Sequence, residues 1–134
     1  MNTLFVKTNS TLPIKAHATD AGLDLCATED ITLWFNKPTL IHTDVSVKLP
    51  KNTMAFITPR SSMNKNGVTT CLGTIDEGYT GELLVCLKAL HYKVKKGDKI
   101  AQLVVLPRCV YTAKLTDNLA DTSRGTKGFG SSGK

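Results

Sequence analysis

Residues 60–82 read RSSMNKNGVTTCLGTIDEGYTGE. The second half, residues 73–82, is patterned as a strand end, a glycine-marked turn and a new strand, with Asp76 and Tyr79 across the turn. A carboxylate and an aromatic ring at a hairpin tip, with Arg60-Ser61-Ser62 upstream, suit a small phosphorylated ligand. Outward from this stretch, short alternating or β-branched runs recur at residues 3–7, 23–27, 31–35, 39–49, 54–58, 68–75, 82–90, 100–106 and 110–115. Pro, Gly, Asn and Asp punctuate them, and helical periodicity is nearly absent. The spacing predicts an all-β barrel or sandwich of jelly-roll type. One short helix is expected at residues 61–66, with a Ser as its N-cap.

A chain of 134 residues with 41% hydrophobic content has room for one modest core. No apolar run reaches the roughly 18 residues that a membrane span needs. The opening MNTLFVKTNS lacks the basic and apolar regions of a secretion signal, which predicts a cytoplasmic or nuclear protein. Cys26, Cys71, Cys86 and Cys109 form no CxxC pair and have no His at ligand spacing, so buried free thiols are expected. The formal charge of +6 raises the question of nucleic acid, but the basic residues are dispersed, with Lys93, Lys95, Lys96 and Lys99 the only cluster. Aromatics, at 6%, are too few for a stacking platform. The charge is read instead as suited to an anionic small ligand, with no stable nucleic-acid or membrane partner.

In residues 82–90, Leu83, Val85, Leu87 and Ala89 form one apolar face and Leu84, Cys86 and Leu90 make the other largely apolar, which in so small a domain suggests a subunit interface. In residues 100–106 the only polar side chain is Gln102, whose amide needs partners from backbone or from a ligand. From residue 117 the composition turns polar and rich in Gly and Ser, and residues 121–134 are expected to be a mobile tail beyond a domain of residues 1–120.

Four groups of residues carry candidate chemistry. Asp20 and Asp24 flank Gly22 at a strand start; they serve a turn, or Asp24 helps hold a hydrated Mg²⁺. Arg60, Ser61 and Ser62 offer a guanidinium, two hydroxyls and helix-start N–H groups, a cradle for an oxyanion or simply a capped loop. Asp76 is a candidate general base able to orient a water as it accepts its proton, or a turn residue. Arg124, Phe129, Ser131 and Ser132 read as a lid, with the ring on a base and the polar groups on a terminal phosphate, or as an unstructured tail.

Taken in order, residues 21–25 (AGLDL), 59–62 (PRSS), 73–82 (GTIDEGYTGE), 97–103 (GDKIAQL) and 124–133 (RGTKGFGSSG) resemble the five motifs of the trimeric dUTPases, the dUTP diphosphatases. The resemblance implies a jelly-roll subunit, or distorted β-barrel, assembling as a homotrimer. Three active sites would draw on all three chains and on Mg²⁺, hydrolysing dUTP to dUMP and pyrophosphate by attack of water on the α-phosphorus. That reaction would limit uracil incorporation into DNA and supply dUMP. It implies that Asp76 positions the water and that Asp24 acts on the metal side through coordinated waters. Arg60, Ser61, Ser62 and Gln102 would contact the phosphates and Tyr79 would lie under the deoxyribose. Backbone from Thr70 to Thr74 and Ile75 would read the uracil. Phe129 would cover the base while Arg124, Ser131 and Ser132 reach the γ-phosphate, which makes residues 121–134 a lid.

Uracil presents an acceptor where cytosine presents an amino donor, so fixed backbone groups can separate the two bases. Mispaired buried polar groups can cost roughly 10⁴ in discrimination. Leu23, Gly78, Lys99 and Ser132 depart from the commoner family pattern, as does Thr70, where some members place an Asn. A nucleotide-responsive binding module with a regulatory protein partner and a related dCTP deaminase are the alternative readings.

Overall fold

The computed structural model describes residues 2–10 and 12–130. Its elements are β1 (Phe5–Lys7), β2 (Leu23–Cys26), β3 (Ile31–Trp34), β4 (Thr39–Lys48), β5 (Thr53–Thr58), α1 (Ser61–Lys65), β6 (Thr69–Thr70), β7 (Gly73–Ile75), β8 (Glu82–Lys88), β9 (His91–Val94) and β10 (Lys99–Pro107). Two antiparallel four-stranded sheets, in the orders β1-β4-β8-β6 and β2-β10-β5-β7, are joined by a two-stranded ribbon of β3 and β9. The sheets stay open, and the all-β, jelly-roll-type expectation with a single short helix holds among the described residues.

Period-two alternation builds the core. On β4 the buried positions are Ile41, Thr43, Val45 and Val47; on β8 they are Leu83, Val85 and Leu87. Ala55 and Ile57 of β5 and Ile100, Ala101 and Leu103 of β10 supply buried residues from the second sheet. Leu84 and Cys86, on the outer face of β8, are only half covered within one chain.

Several expectations change. Residues 73–82 do not form a hairpin whose arms pair: β7 pairs with β5, whereas β8 pairs with β4 and β6, so residues 76–81 bridge the two sheets. For the same reason residues 68–75 are two strands, broken at Cys71-Leu72 where the chain passes from one sheet to the other. Residues 110–115 are not a strand; Val110, Tyr111 and Leu115 are exposed, and alternation without a neighbouring edge does not make a ladder. The strand β9 was hidden by the lysines around it, yet His91–Val94 pairs with β3 and buries Val94. The N-cap of α1 is Arg60, in extended conformation and without a side-chain cap bond, rather than a Ser. The thiols are free, but Cys26, Cys71 and Cys86 are only half-buried and Cys109 is exposed.

Candidate active site

The register of β10 assembles the first half of the site. Gln102 lies opposite Asp24 on β2 and opposite Thr58 on β5, so the β5–α1 link brings Pro59 and Arg60 beside them. Asp24 Oδ1 accepts from Arg60 Nε at 3.0 Å, and Oδ2 faces Lys99 Nζ at 3.1 Å. Arg60 Nη1 also donates to Ser62 Oγ and to the Lys99 carbonyl, at 3.3 and 3.4 Å. Gln102 Nε2 donates to the Pro59 carbonyl at 3.2 Å, which leaves its amide oxygen available. Asp24, Arg60, Lys99 and Gln102, with Ser61 and Asp20, line a cavity of about 360 Å³. Asp20, beside His17, lines the same cavity, so its carboxylates and cations balance; the guanidinium, ammonium and hydroxyl donors form the cradle suited to phosphate oxygens.

Gly22 permits this geometry. A Cβ at that position would meet the Leu103 carbonyl at 2.9 Å and Val104 Cγ2 at 3.1 Å, so β2 could no longer lie against β10. Gly22→Ala is expected to destabilise the fold by about 1–3 kcal/mol and to pull Asp24 away from Arg60. Chemical denaturation and phosphate-ligand affinity would both report it, and a wild-type denaturation midpoint would contradict the close approach.

The second half lies on the segment that joins the sheets. Thr74, Ile75, Asp76, Tyr79, Glu82, Leu83 and Leu84 line a cavity of about 220 Å³. A turn bond from Tyr79 N–H to the Asp76 carbonyl, 3.0 Å, holds the carboxylate and the ring together. The Tyr79 hydroxyl donates to the Glu82 carbonyl at 2.8 Å, and the ring packs over Gly81, where a Cβ would meet Tyr79 Oη at 2.6 Å. Arg108 Nη2 donates to Glu77 Oε2 at 2.9 Å and holds that carboxyl below its ordinary range, tying the turn to the end of β10. Thr70 is buried, and its hydroxyl has no partner among the described residues.

The two cavities share no lining residue, so one chain does not bring Asp76 to Asp24. Arg124 and Phe129 form a third group: Arg124 Nε donates to the Lys127 carbonyl at 2.8 Å, inside the tail itself, and Phe129 is fully exposed at φ 50°. Ser131 and Ser132 lie outside the described residues. Sequence reasoning missed Lys99, taken as one of a basic cluster; its position at the head of the strand that carries Gln102 was the available signal.

Among the described residues no three His, Cys, Asp or Glu side chains gather into a metal cage. Both Asp24 oxygens already face cations, so this lone carboxylate would fit a hydrated Mg²⁺ through water rather than by direct ligation.

The sequence profile of the dUTPase family matches residues 8–133. The deoxyuridine 5'-triphosphate nucleotidohydrolase of Clostridium novyi (strain NT) is 44% identical, with 99% of each chain covered. The structure of the Staphylococcus bacteriophage 80alpha dUTPase with dUPNHPP superposes with a TM-score of 0.91, at 31% identity and with 100% of each chain covered. A mutant dUTPase of phage phi11 of S. aureus, whose structure describes the coordination of a structural Mg(II) ion, gives a TM-score of 0.81 at 27% identity, covering 87% of this chain and 98% of its own.

Proposed function

The chain belongs to the dUTPase family, and from that membership we propose that it hydrolyses dUTP to dUMP and pyrophosphate as a homotrimer. The observation that carries the reading is the division of the site: the Asp24–Arg60–Lys99 cradle and the Asp76–Tyr79 cavity lie apart in one chain, as a site completed by a neighbouring copy would require. Leu84 and Cys86, half covered on the outer face of β8, support such assembly.

In the proposed mechanism Arg60, Ser61, Ser62 and Gln102 bind the triphosphate and fix the α-phosphorus in line with a water held by Asp76. The water oxygen bonds to the α-phosphorus, its proton passes to Asp76, and the bond to the α–β bridging oxygen breaks, releasing pyrophosphate and dUMP. Asp24 would hold a hydrated Mg²⁺ through water, and the ion would supply charge neutralisation on the triphosphate. Tyr79 carries the deoxyribose, backbone of residues 70–75 pairs with uracil, and the tail residues Arg124, Phe129, Ser131 and Ser132 close over base and γ-phosphate. This activity limits uracil in DNA and supplies dUMP.

The test is incubation with each of dATP, dCTP, dGTP, dTTP and dUTP in the presence of Mg²⁺, measuring pyrophosphate and identifying the nucleotide product. Release from dUTP alone, leaving dUMP, is expected. Conversion of dCTP to a uracil nucleotide would replace hydrolysis by deamination, and silence on dUTP would overturn the proposal.

A second reading concerns a protein partner. The 80alpha enzyme is described among phage dUTPases that control transfer of virulence genes, and its likeness covers this whole chain. A nucleotide-responsive regulatory partner would be captured with and without a dUTP analogue in different amounts; equal or absent capture speaks against it.

A further inference from the structure

Where β4 meets β8 the ladder is interrupted. His42 pairs with Leu84 and Ser46 with Glu82, so Thr43, Asp44 and Val45 bulge opposite Leu83. Asp44 takes a left-handed conformation at φ 57°, which turns its N–H out of the ladder. Two side chains replace the lost backbone bonds. Thr43 Oγ1 donates to the Leu83 carbonyl at 2.6 Å, and Glu82 Oε1 accepts the Asp44 N–H at 2.9 Å. The second Glu82 oxygen meets His42 Nδ1 at 2.9 Å. Glu82 also stands at the foot of the candidate site: its backbone carbonyl holds the Tyr79 hydroxyl, and the residue lines the same cavity as Asp76.

Resting on the dUTPase reading, we infer that Glu82 is a positioning residue for the nucleoside half of the site. Its carboxylate clamps the β4 bulge and thereby fixes the carbonyl on which Tyr79 is hung. Without that carboxylate, the Asp44 N–H loses its partner, and Thr43 Oγ1 on the Leu83 carbonyl is left as the side-chain bond across the bulge. Tyr79 keeps its hydrogen bond but to a carbonyl that has become mobile, and the ring under the sugar moves with it. The bulge in turn holds the N-terminal arm, because Asp44 Oδ2 accepts from Asn9 N–H at 2.9 Å and Ser10 Oγ at 3.1 Å. Glu82 therefore links the arm, the bulge and the ring.

The charged groups that face His42 are Glu82 of β8 and Glu29 of the β2–β3 link. The hydrogen bond to Glu82 raises the His42 pKa, and the same bond lowers that of Glu82. The contribution of the raised His is complete below its ordinary value of about 6.5 and is lost as pH rises through the higher folded value. That of the lowered Glu is present above about 4.3 and is lost as pH falls through its folded value. The charged clamp thus works between the two folded values. Above the His42 value the clamp keeps the Asp44 N–H bond and loses the charge on its His42 side.

The test compares wild type, Glu82→Ala and Glu82→Gln for dUTP turnover and for binding of a non-hydrolysable dUTP analogue, from pH 5.5 to 8.5. Glu82→Ala should raise KM and the analogue Kd roughly tenfold at every pH, the size of one charge-assisted hydrogen bond, with kcat changed much less. Glu82→Gln should sit near wild type at high pH, where its amide oxygen takes the Asp44 N–H and its NH₂ meets neutral His42. At low pH it should approach the alanine variant, because protonated His42 then opposes a second donor. A merely structural role predicts lower thermal stability with no pH-dependent difference in KM between the two variants, and that pattern would overturn the inference. So would unchanged KM in Glu82→Ala. Failure of the wild type itself to hydrolyse dUTP would instead strike the parent proposal.

Discussion

Asp76→Asn is expected to bind a dUTP analogue with nearly wild-type affinity and to lose roughly 10² to 10⁴ in kcat, the usual contribution of a general base. The substitution is nearly isosteric, and the Asp76 group used to build the turn is its backbone carbonyl, which receives the Tyr79 N–H and is unaffected. What the amide loses is the capacity to take a proton from water. The loss should therefore appear in kcat at saturating dUTP, with KM changed little. A variant that turns over at wild-type rate would remove Asp76 from the base role, and the half-site of Asp24, Arg60 and Lys99 would then need another proton acceptor. Neither Arg60 nor Lys99 suits that task as a cation, and Asp24 is already bound to both.

The first sheet was legible from Ile41, Val45 and Val47 set among polar neighbours in residues 41–48, and from the β-branched and apolar run of residues 83–87. The exchange between sheets at Cys71-Leu72 was not legible, since two short β-prone runs without a Gly or Pro between them read as one strand. Asp24, Arg60 and Gln102 could be named from motifs, but their meeting depends on the register that sets Gln102 against Asp24, a pairing 78 positions apart that local pattern does not encode. Lys99 and Glu82 escaped for a related reason. A Lys and a Glu at strand starts are ordinary surface residues until the partner strand shows what they face: Asp24 in one case, the left-handed Asp44 and His42 in the other.

Deleting residues 121–134 is expected to leave the fold intact and to lower kcat/KM for dUTP by roughly 10²-fold or more, the scale of misplacing reacting groups. Among the described tail residues the recorded side-chain bonds are local, Arg124 to the Lys127 carbonyl and Gly125 N–H to Thr122, so no contact with the sheets is broken. Phe129 is fully exposed and contributes nothing to the core, so the denaturation midpoint should not move. A Phe at φ 50° followed by a Gly at φ 83° is costly for the first residue and free for the second. That arrangement makes sense if the ring finds its partner in the nucleotide. Phe129→Ala isolates the stacking part: about 1–3 kcal/mol per base, or roughly tenfold to a hundredfold in analogue affinity, leaving the Arg124 contribution in place. Equal turnover by the truncated and full-length proteins would mean that the site closes without the tail. A large loss on truncation with no change in Phe129→Ala would assign closure to Arg124 and the phosphate rather than to the base.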